Sequence, residues 1–406
     1  MDRGQAHRGL VSRRSFLKLA AMACGSLALY ACGAGRETSQ PSPAVPRETP
    51  ETGGATPAGP SLRAMIAQML VVGFRGLTAT EADIAPVIRQ EGLGGVVLFD
   101  FDVPTRSPLR NVQSPQQVRE LTEGLQALYR TTLIICADQE GSLVARLNEK
   151  HGFPPTVSHQ ELGERNDPAY TRQQAGQMAA TLASVGINLN LAPVVDVNVN
   201  PANPVIGSLG RSFSSDPLIV AAQAREFVRA HHEHGVLCTL KHFPGHGSSR
   251  QDSHLGFVDV TETWSPDELV PYRELIASGD ADVVMTAHVF NARLDPRYPA
   301  TLSRDIITGL LRQELRFDGV VISDDMQMGA IRQHYSYEGA VELAINAGVD
   351  ILAIANNSVY EPDIALRTIE LIERLVREGR VPEARIRESY ARIQRLKSRL
   401  SRSPAP

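Results

Sequence analysis

An alternation of short apolar runs with stretches of helical periodicity begins at Leu62 and continues almost to the end of the 406-residue chain. The apolar runs are rich in β-branched residues and are bounded by Gly, Pro or polar residues, which is typical of buried strands in a parallel sheet. Eight such runs suit a closed barrel. The predicted strands are residues 69–74, 95–99, 133–137, 188–195, 237–241, 283–287, 319–322 and 351–355.

Helical periodicity occupies the intervals between these runs. Pro217 and Pro266 directly follow Asp216 and Ser265, as first-turn prolines follow N-cap residues. The sequence therefore predicts an α/β fold, a (β/α)8 barrel of the TIM type, with residues 62–400 as one domain. The predicted helices are residues 115–130, 170–185, 217–234, 266–278, 306–315, 337–347, 362–378 and 382–400.

Polar side chains follow many of the predicted strands, at positions unsuited to a core. A single acidic residue there is commonly a cap for the next helix. Because the active sites of barrel enzymes gather at the carboxyl ends of the strands, so many polar strand ends predict a catalytic pocket there instead. These residues are Asp138, Glu140, Asp196, Lys241, His242, His288, Asp324 and Asp325.

Residues 241–254 leave a strand as a loop that reads Lys-His-Phe-Pro-Gly-His-Gly and ends in Asp-Ser-His. Asp252 is close enough in sequence to accept a hydrogen bond from Nδ1–H of His254 and to fix its tautomer, which predicts an orienting group beside a proton shuttle. Together with His242 and His246, this pair could also bind a metal ion. Pro and Gly prevent the helix that would align His242 with His246, so only a loop metal site remains as an alternative.

Asp324 follows the apolar run 319–322, so the strand delivers its carboxylate directly into the predicted pocket. A carboxylate in that position can act as a nucleophile or as a base. An acidic residue in this position can instead cap the following helix. The neighbouring Asp325 is predicted to be this capping or supporting residue.

The first 18 residues carry five Lys or Arg residues against one acidic residue, and residues 19–31 are apolar. This is the layout of a signal peptide. Residues 12–18, Ser-Arg-Arg-Ser-Phe-Leu-Lys, resemble a twin-arginine export signal. An apolar run of about 13 residues is shorter than the roughly 20 that a spanning helix needs, which disfavours the alternative of an uncleaved membrane anchor.

The apolar run ends in Leu-Tyr-Ala-Cys-Gly, which resembles the processing site of a bacterial lipoprotein. Residues 1–32 are therefore predicted to be a lipoprotein signal with Cys32 as the lipidated residue. Residues 33–61, rich in Pro, Ser, Thr and Gly, are predicted to be a flexible tether. These features predict a protein that is exported and anchored to the cell membrane.

Composition excludes two other classes of protein. A net charge of -4 provides no basic field for nucleic acid. The chain has four cysteines, too few for a disulfide framework: Cys24, Cys32, Cys136 and Cys238. A monomer is expected.

Four motifs, in this order, resemble those of glycoside hydrolase family 3, in its single-domain β-N-acetylhexosaminidase branch. Residues 138–141 read Asp-Gln-Glu-Gly, residues 210–213 read Gly-Arg-Ser-Phe, and the loop 241–254 and Ser323-Asp324 follow. Motifs and strand pattern together cover about residues 62–400. The resemblance implies a retaining hydrolase that removes terminal N-acetyl-β-glucosamine from cell-wall or chitin-type oligosaccharides.

The resemblance also implies roles for individual residues. Asp324 is expected to attack the anomeric carbon, while His254, oriented by Asp252, protonates the leaving oxygen and later deprotonates water. It implies no metal or organic cofactor, and it leaves His246 a structural role. The residues expected to hold the hydroxyl and N-acetyl groups of the sugar are Asp138, Arg146, Arg211, Lys241 and His242.

The chain departs from the family pattern at one place. The family usually continues Asp-x-Glu-Gly with Gly-Arg-Val, whereas this chain has Ser142, Leu143 and Val144. Arg146 keeps its expected spacing, so sugar binding is expected to be retained.

The alternative functions are a β-glucosidase-like hydrolase, a glycoside phosphorylase that uses the same nucleophile, and a sugar-binding lipoprotein without turnover.

Overall fold

Eight parallel strands form a nearly closed barrel in a computed structural model that describes residues 59–400. The predicted signal peptide, Cys32 and nearly all of the predicted tether lie outside the described residues. Each strand pairs with its neighbour in the chain, and β1 pairs with β8. The strands are β1 (Leu70–Gly73), β2 (Gly95–Val97), β3 (Ile134–Ala137), β4 (Leu189–Asn190), β5 (Leu237–Phe243), β6 (Val283–Thr286), β7 (Val320–Ile322) and β8 (Leu352–Ile354).

The contact between β7 and β8 closes the barrel. Ile322 and Ile351 form an isolated parallel bridge, and the amide of Ser323 donates to the carbonyl of Ile351 at 2.9 Å. Since the strands are rich in buried Val, Ile and Leu residues, side chains fill the barrel interior as a packed core. The predicted (β/α)8 fold is confirmed.

Helices surround the barrel and connect its strands. The segment Asp305–Glu314, predicted as an ordinary helix, is a π-helix. None of the helices within residues 59–400 is long and apolar enough to span a membrane. The α-helices are α1 (Leu62–Ala67), α2 (Ala85–Glu91), α3 (Pro115–Gln126), α4 (His159–Arg165), α5 (Pro168–Ser184), α6 (Pro217–Glu233), α7 (Val270–Ala277), α8 (Gly329–Arg332), α9 (Tyr337–Ala347), α10 (Ile364–Arg377) and α11 (Glu383–Leu400).

Helix starts follow the predicted capping chemistry. The side chain of Asp216 accepts from the amide of Leu218 at the start of α6. The side chain of Ser265 accepts from the amide of Asp267, but a short 3-10 helix, Pro266–Leu269, precedes α7 there. The sequence pattern missed α1, α2, α4 and α8, which have 4 to 7 residues each. Such short helices give too few turns for a periodic pattern.

Short pairs of strands lie at the carboxyl end of the barrel. Gln139–Gly141 and Val144–Ala145 form an antiparallel hairpin directly after β3. Val258–Asp259 pairs in parallel with Val289–Phe290, which follows β6. These elements extend the walls of the barrel on the side where the polar strand ends lie.

Candidate active site

A cavity of about 400 Å³ opens at the carboxyl end of the barrel strands. Asp138 follows β3, the last residues of β5 include Lys241, and Asp324 lies two residues beyond β7. The walls of this single cavity include all eight side chains that the sequence singled out for catalysis and sugar binding: Asp138, Arg146, Arg211, Lys241, His242, Asp252, His254 and Asp324. Their individual roles stay predictions.

Alternating acidic and basic groups line the side of the cavity near β3 and β5. Nζ of Lys241 lies 2.8 Å from Asp138 and 2.7 Å from Glu140. Arg211 donates two hydrogen bonds of 2.7 Å to Glu140, and Arg146 donates one of 3.0 Å to Asp138. Each cation therefore has a fixed position and can present its remaining N–H groups to a ligand.

Burial and charge act in opposite directions on these carboxyl groups. Burial alone would raise the pKa of Glu140, but Arg211 and Lys241 outweigh it and hold the pKa well below its usual value. Burial is likewise outweighed at Asp138, where Lys241 and Arg146 lower the pKa. Both groups are ionised at neutral pH, so the network is ionic rather than neutral.

Asp196 fixes the start of the loop formed by residues 241–254. Its buried carboxylate accepts the backbone N–H groups of His242 and His246 at 3.1 and 2.8 Å, and the Nδ1–H group of His242 at 2.7 Å. Burial raises the pKa of Asp196, but the two histidines outweigh that effect and lower it overall. The bond to Nδ1 sets the tautomer of His242 and leaves its Nε2 for a ligand.

The ring of His246 is held on both sides by serine hydroxyl groups. Nε2 lies 2.9 Å from Oγ of Ser253, and Nδ1 lies 3.0 Å from Oγ of Ser249. Burial lowers the pKa of His246 to about 4, so the ring is neutral at neutral pH. Within residues 59–400, no group of three or more His, Cys, Asp or Glu side chains could hold a metal ion.

The buried carboxyl group of Glu268 also supports the loop of residues 241–254. Oε2 of Glu268 accepts the backbone N–H group of Gly247 at 3.0 Å. A Cβ atom at Gly245 would lie 2.7 Å from the Glu268 side chain, so glycine is required for this close approach. Burial raises the pKa of Glu268 to about 8, which keeps the group protonated at neutral pH.

Asp252 and His254 form the predicted pair at the far end of the loop. One oxygen of Asp252 accepts both the backbone N–H and the Nδ1–H groups of His254, each at 2.8 Å. The imidazole is 60% exposed, so Asp252 rather than packing orients it. Backbone bonds from Gly329 and Ala330 of α8 to the carbonyls of His254 and Ser253 anchor this segment. Nε2 of His254 is thus free to exchange a proton.

Asp324 lies among histidines at the end of β7. Burial would raise its pKa, but His288, His242 and His254, together with the amide of Asp325, lower it below the usual value. The amide of Asp325 donates to Asp324 at 2.8 Å. An ionised carboxylate is the state that a nucleophile requires.

Asp325 has the predicted supporting role, but it does not cap the following helix, since the N-cap residue of α8 is Met328, which makes no side-chain cap hydrogen bond. The carboxylate of Asp325 accepts the amides of Gln327 and Ala355 at 3.1 and 2.9 Å, which ties the end of β7 to the end of β8. Burial raises the pKa of Asp325 to about 6. His288 adds a second support, because its Nε2 lies 2.9 Å from the carbonyl of Asp325.

Comparison with known proteins is consistent with this geometry. Residues 61–396 match the model of the glycosyl hydrolase family 3 N terminal domain. The chain belongs to glycoside hydrolase family 3. The resemblance seen in the motifs is thereby confirmed, and so is the predicted class of enzyme, a glycoside hydrolase.

Relatives within glycoside hydrolase family 3 differ in length from this chain. It is 32% identical over 384 residues to beta-hexosaminidase A of Pseudoalteromonas piscicida, a match that covers 84% of the chain and 62% of the relative. It is 37% identical over 295 residues to a beta-hexosaminidase of Xylella fastidiosa strain 9a5c, with coverage of 71% and 83%. The chain therefore spans less than two thirds of the first relative and most of the second.

A solved family 3 structure has the same fold. The family 3 beta-N-acetylglucosaminidase from Paenibacillus sp. strain FPU-7 superimposes with a TM-score of 0.76 at 35% identity. The match covers 84% of this chain and 63% of that structure.

The departure from the family 3 motif forms the tip of the hairpin after β3. Leu143 is 73% exposed there, and Ser142 has a left-handed backbone with φ of 51°, a conformation that glycine adopts without steric conflict. The hairpin nevertheless closes, and Arg146 reaches Asp138. The change at residues 142 and 143 is thus confined to the tip.

For three residues of this family 3 site, the sequence predicted a position at a strand end but no role. Glu140 joins Lys241 to Arg211, Asp196 orients His242, and His288 supports Asp325. Their signal was their position directly after a strand. Their partners are far away in the sequence, which hid the interactions.

Proposed function

We propose that this protein is a retaining β-N-acetylhexosaminidase that releases terminal N-acetyl-β-glucosamine. The observation that carries the proposal is the pairing, on one cavity, of an ionised Asp324 with a His254 that Asp252 orients. The names of the relatives, beta-hexosaminidase and beta-N-acetylglucosaminidase, support the choice of sugar.

Two steps account for the reaction. Asp324 forms a bond to the anomeric carbon while the bond to the leaving oxygen breaks, and that oxygen takes a proton from Nε2 of His254. Water then attacks the same carbon, gives its proton to His254 and releases Asp324. Asp252 stabilises the imidazolium that alternates with the neutral ring.

The cations of the cavity fit the remaining part of the sugar. Lys241 and Arg146 lie on either side of Asp138, and Arg211 lies beside Glu140. Vicinal hydroxyl groups and an amide carbonyl match such alternating donors and acceptors. Nε2 of His242 is one further nitrogen that can form a hydrogen bond to the sugar, since Nδ1 is bound to Asp196.

The direct test compares two aryl glycosides. We expect rapid release of the aryl group from N-acetyl-β-glucosaminide and at least about tenfold lower kcat/KM for the matching β-glucoside, because loss of a recognised polar group leaves buried partners unpaired. Release of 4-nitrophenol measures both rates. Faster turnover of the glucoside would support the β-glucosidase alternative, and binding of the sugar without turnover would support a non-catalytic lipoprotein.

We further propose that the protein is exported by the twin-arginine signal and anchored through a lipid on Cys32. The proposal rests on the charged and apolar pattern of residues 1–32. Cys32→Ala is expected to move the protein from the membrane fraction to the soluble extracytoplasmic fraction. Fractionation with immunodetection measures this change, and a Cys24→Ala variant is the matched control. An unchanged membrane fraction for Cys32→Ala would overturn the lipid anchor.

A further inference from the structure

The middle of the loop formed by residues 241–254 is held by groups that lie outside the catalytic cavity. Nε1–H of Trp264 donates to the carbonyl of Pro244 at 3.0 Å. Oε2 of Glu268 accepts the amide of Gly247 at 3.0 Å. Neither Trp264 nor Glu268 lines the cavity. The path of the loop between its two functional ends therefore depends on side chains that a bound sugar would not contact.

Glu268 lies in surroundings that suit a neutral acid and not a carboxylate. Its side chain is fully buried, and Oε1 has no hydrogen-bond partner among residues 59–400. No Lys or Arg side chain in that range forms an ion pair with it, whereas a negative charge, that of Asp196, acts on it. A carboxylate in this place would be strongly disfavoured, because neither a cation nor a full set of hydrogen bonds would compensate its charge.

The other titratable side chains around Glu268 do not offer it a cation. Tyr272 of α7 stays neutral, since burial raises the pKa of its hydroxyl group well above the usual value. The two histidines at the start of the loop make their hydrogen bonds elsewhere. Nδ1 of His242 binds Asp196, and both ring nitrogens of His246 are bound by serine hydroxyl groups.

The direction of titration at Glu268 follows from these contacts. Burial raises its pKa to about 8, which Ser248 and the amide of Gly247 oppose and the charge of Asp196 reinforces. The group is neutral below that pH and ionised above it. An effect of its proton on the enzyme therefore appears as the pH rises above neutrality.

A short series of hydrogen bonds connects the turn at Gly247 to the acid/base end of the loop. Nδ1 of His246 lies 3.0 Å from Oγ of Ser249, and Nε2 lies 2.9 Å from Oγ of Ser253. Ser253 directly precedes His254, whose own side chain is 60% exposed. Because packing does not hold this imidazole, its position depends on the backbone that carries it.

We propose that Glu268, in its neutral form, is a positioning residue for His254, and that loss of its proton above neutral pH releases the turn at Gly247 and lowers turnover. Water stabilises an ionised Glu268, and it can reach this buried group only if the turn moves away. Such a movement displaces His254 through His246 and Ser253, and a displacement of about 1 Å slows catalysis strongly. The effect on turnover rests on the proposed function, whereas the effect on the loop does not.

A pH profile of Glu268→Gln tests the role of the proton, since the amide keeps an acceptor for Gly247 and has no proton to lose. The substrate is an activated aryl N-acetyl-β-glucosaminide, whose leaving group needs no proton from His254. Between about pH 7 and about pH 9, we expect kcat to fall about tenfold in the wild type and less than about twofold in Glu268→Gln. Glu262→Gln, at a side chain that is 82% exposed, is the matched control and should follow the wild type. An absence of the decline in the wild type, or an equal decline in Glu268→Gln, would overturn the proposal.

Glu268→Leu removes the acceptor for Gly247 at every pH. We expect kcat at neutral pH to fall by about tenfold or more while KM stays within about twofold, because the sugar-binding cations on the opposite wall keep their partners. Glu268→Gln should restore kcat at neutral pH, and a thermal midpoint measured for both variants shows that each is folded. A loss of the same size in Glu268→Gln at neutral pH would mean that residue 268 does not act through this acceptor.

Cleavage by trypsin after Arg250 measures the state of the loop with no substrate present. Arg250 is exposed within the loop. From about pH 7 to about pH 9, we expect its cleavage in the wild type to become several-fold faster than in Glu268→Gln, and comparison at equal pH removes the pH dependence of trypsin itself. Equal rates in the two proteins at both pH values would overturn the release of the loop. If the difference appears but the wild type cleaves no N-acetyl-β-glucosaminide, the proposed function fails and the role of Glu268 in the loop is upheld.

Discussion

Asp324→Ala is expected to lower kcat by on the order of 10⁴-fold or more, because the covalent step has no other carboxylate to use. Asp325 is held in a different position, since its Oδ1 accepts the amides of both Gln327 and Ala355. Hydrolysis of an aryl N-acetyl-β-glucosaminide measures the loss. A variant that retains wild-type turnover would exclude Asp324 as the nucleophile.

The variant must be shown to fold before the loss is assigned to chemistry. Asp324 accepts one hydrogen bond, from the neighbouring amide, so its removal leaves little of the barrel unsatisfied. We expect a thermal midpoint close to that of the wild type. Asp363→Ala is the matched control, because Asp363 is 62% exposed on its side chain and lies outside the cavity.

Mass spectrometry can distinguish a nucleophile from a base at this position. With an activated aryl substrate and rapid quenching, the wild-type enzyme should carry one sugar on the peptide that contains Asp324. A base would leave that peptide unmodified at every time point, so an absence of labelling under conditions of steady turnover would count against a covalent mechanism.

The sequence predicted the barrel because strand residues and their boundaries are local properties. The eight apolar runs match the eight strands, and only the details of length differ. Residues 188–195, for example, are regular only at Leu189–Asn190, since Pro193 has no N–H group for the ladder. A parallel bridge between Val194 and Lys241 resumes the contact with β5.

The candidate site was predictable to the extent that strand ends converge. Asp252 and His254 are two residues apart, so their hydrogen bond could be proposed from spacing alone. Other pairs in the site are far apart in the sequence. Asp196 and His242 are separated by 46 residues, and Asp138 and Lys241 by 103 residues. No local pattern encodes such a pairing, and only the closed barrel brings these groups together.

Most charged side chains of the cavity already have a partner of opposite charge, and the physical reason is their burial. Burying an ion is unfavourable unless a partner and hydrogen bonds compensate it. Lys241, with two carboxylates within 2.8 Å, is compensated, and so is Glu140, with Arg211 and Lys241. Asp324 differs from Glu140 because histidines and one amide, rather than Lys or Arg side chains, stabilise it. That arrangement leaves its oxygens available for a bond to carbon.

His254→Ala is expected to slow cleavage of an unactivated disaccharide by about 10²- to 10⁴-fold, the usual contribution of a positioned acid. For an aryl leaving group that needs no protonation, the first step should stay fast, while the second step loses its base. The variant should then release a burst of aryl alcohol, stoichiometric with enzyme, before slow turnover. Stopped-flow absorbance measures the burst.

Two further variants decide whether the effect of His254 is chemical or structural. His232→Ala removes another histidine bound to an aspartate, with Nε2 at 2.7 Å from Asp282, but outside the cavity, and it should show neither the burst nor the dependence on leaving group. Asp252→Asn keeps an acceptor for the ring but removes the charge that stabilises the imidazolium, so its loss should fall between the wild type and His254→Ala. Equal losses for activated and unactivated substrates in His254→Ala would mean that this exposed imidazole binds the sugar or holds the loop, and that the proton comes from another group.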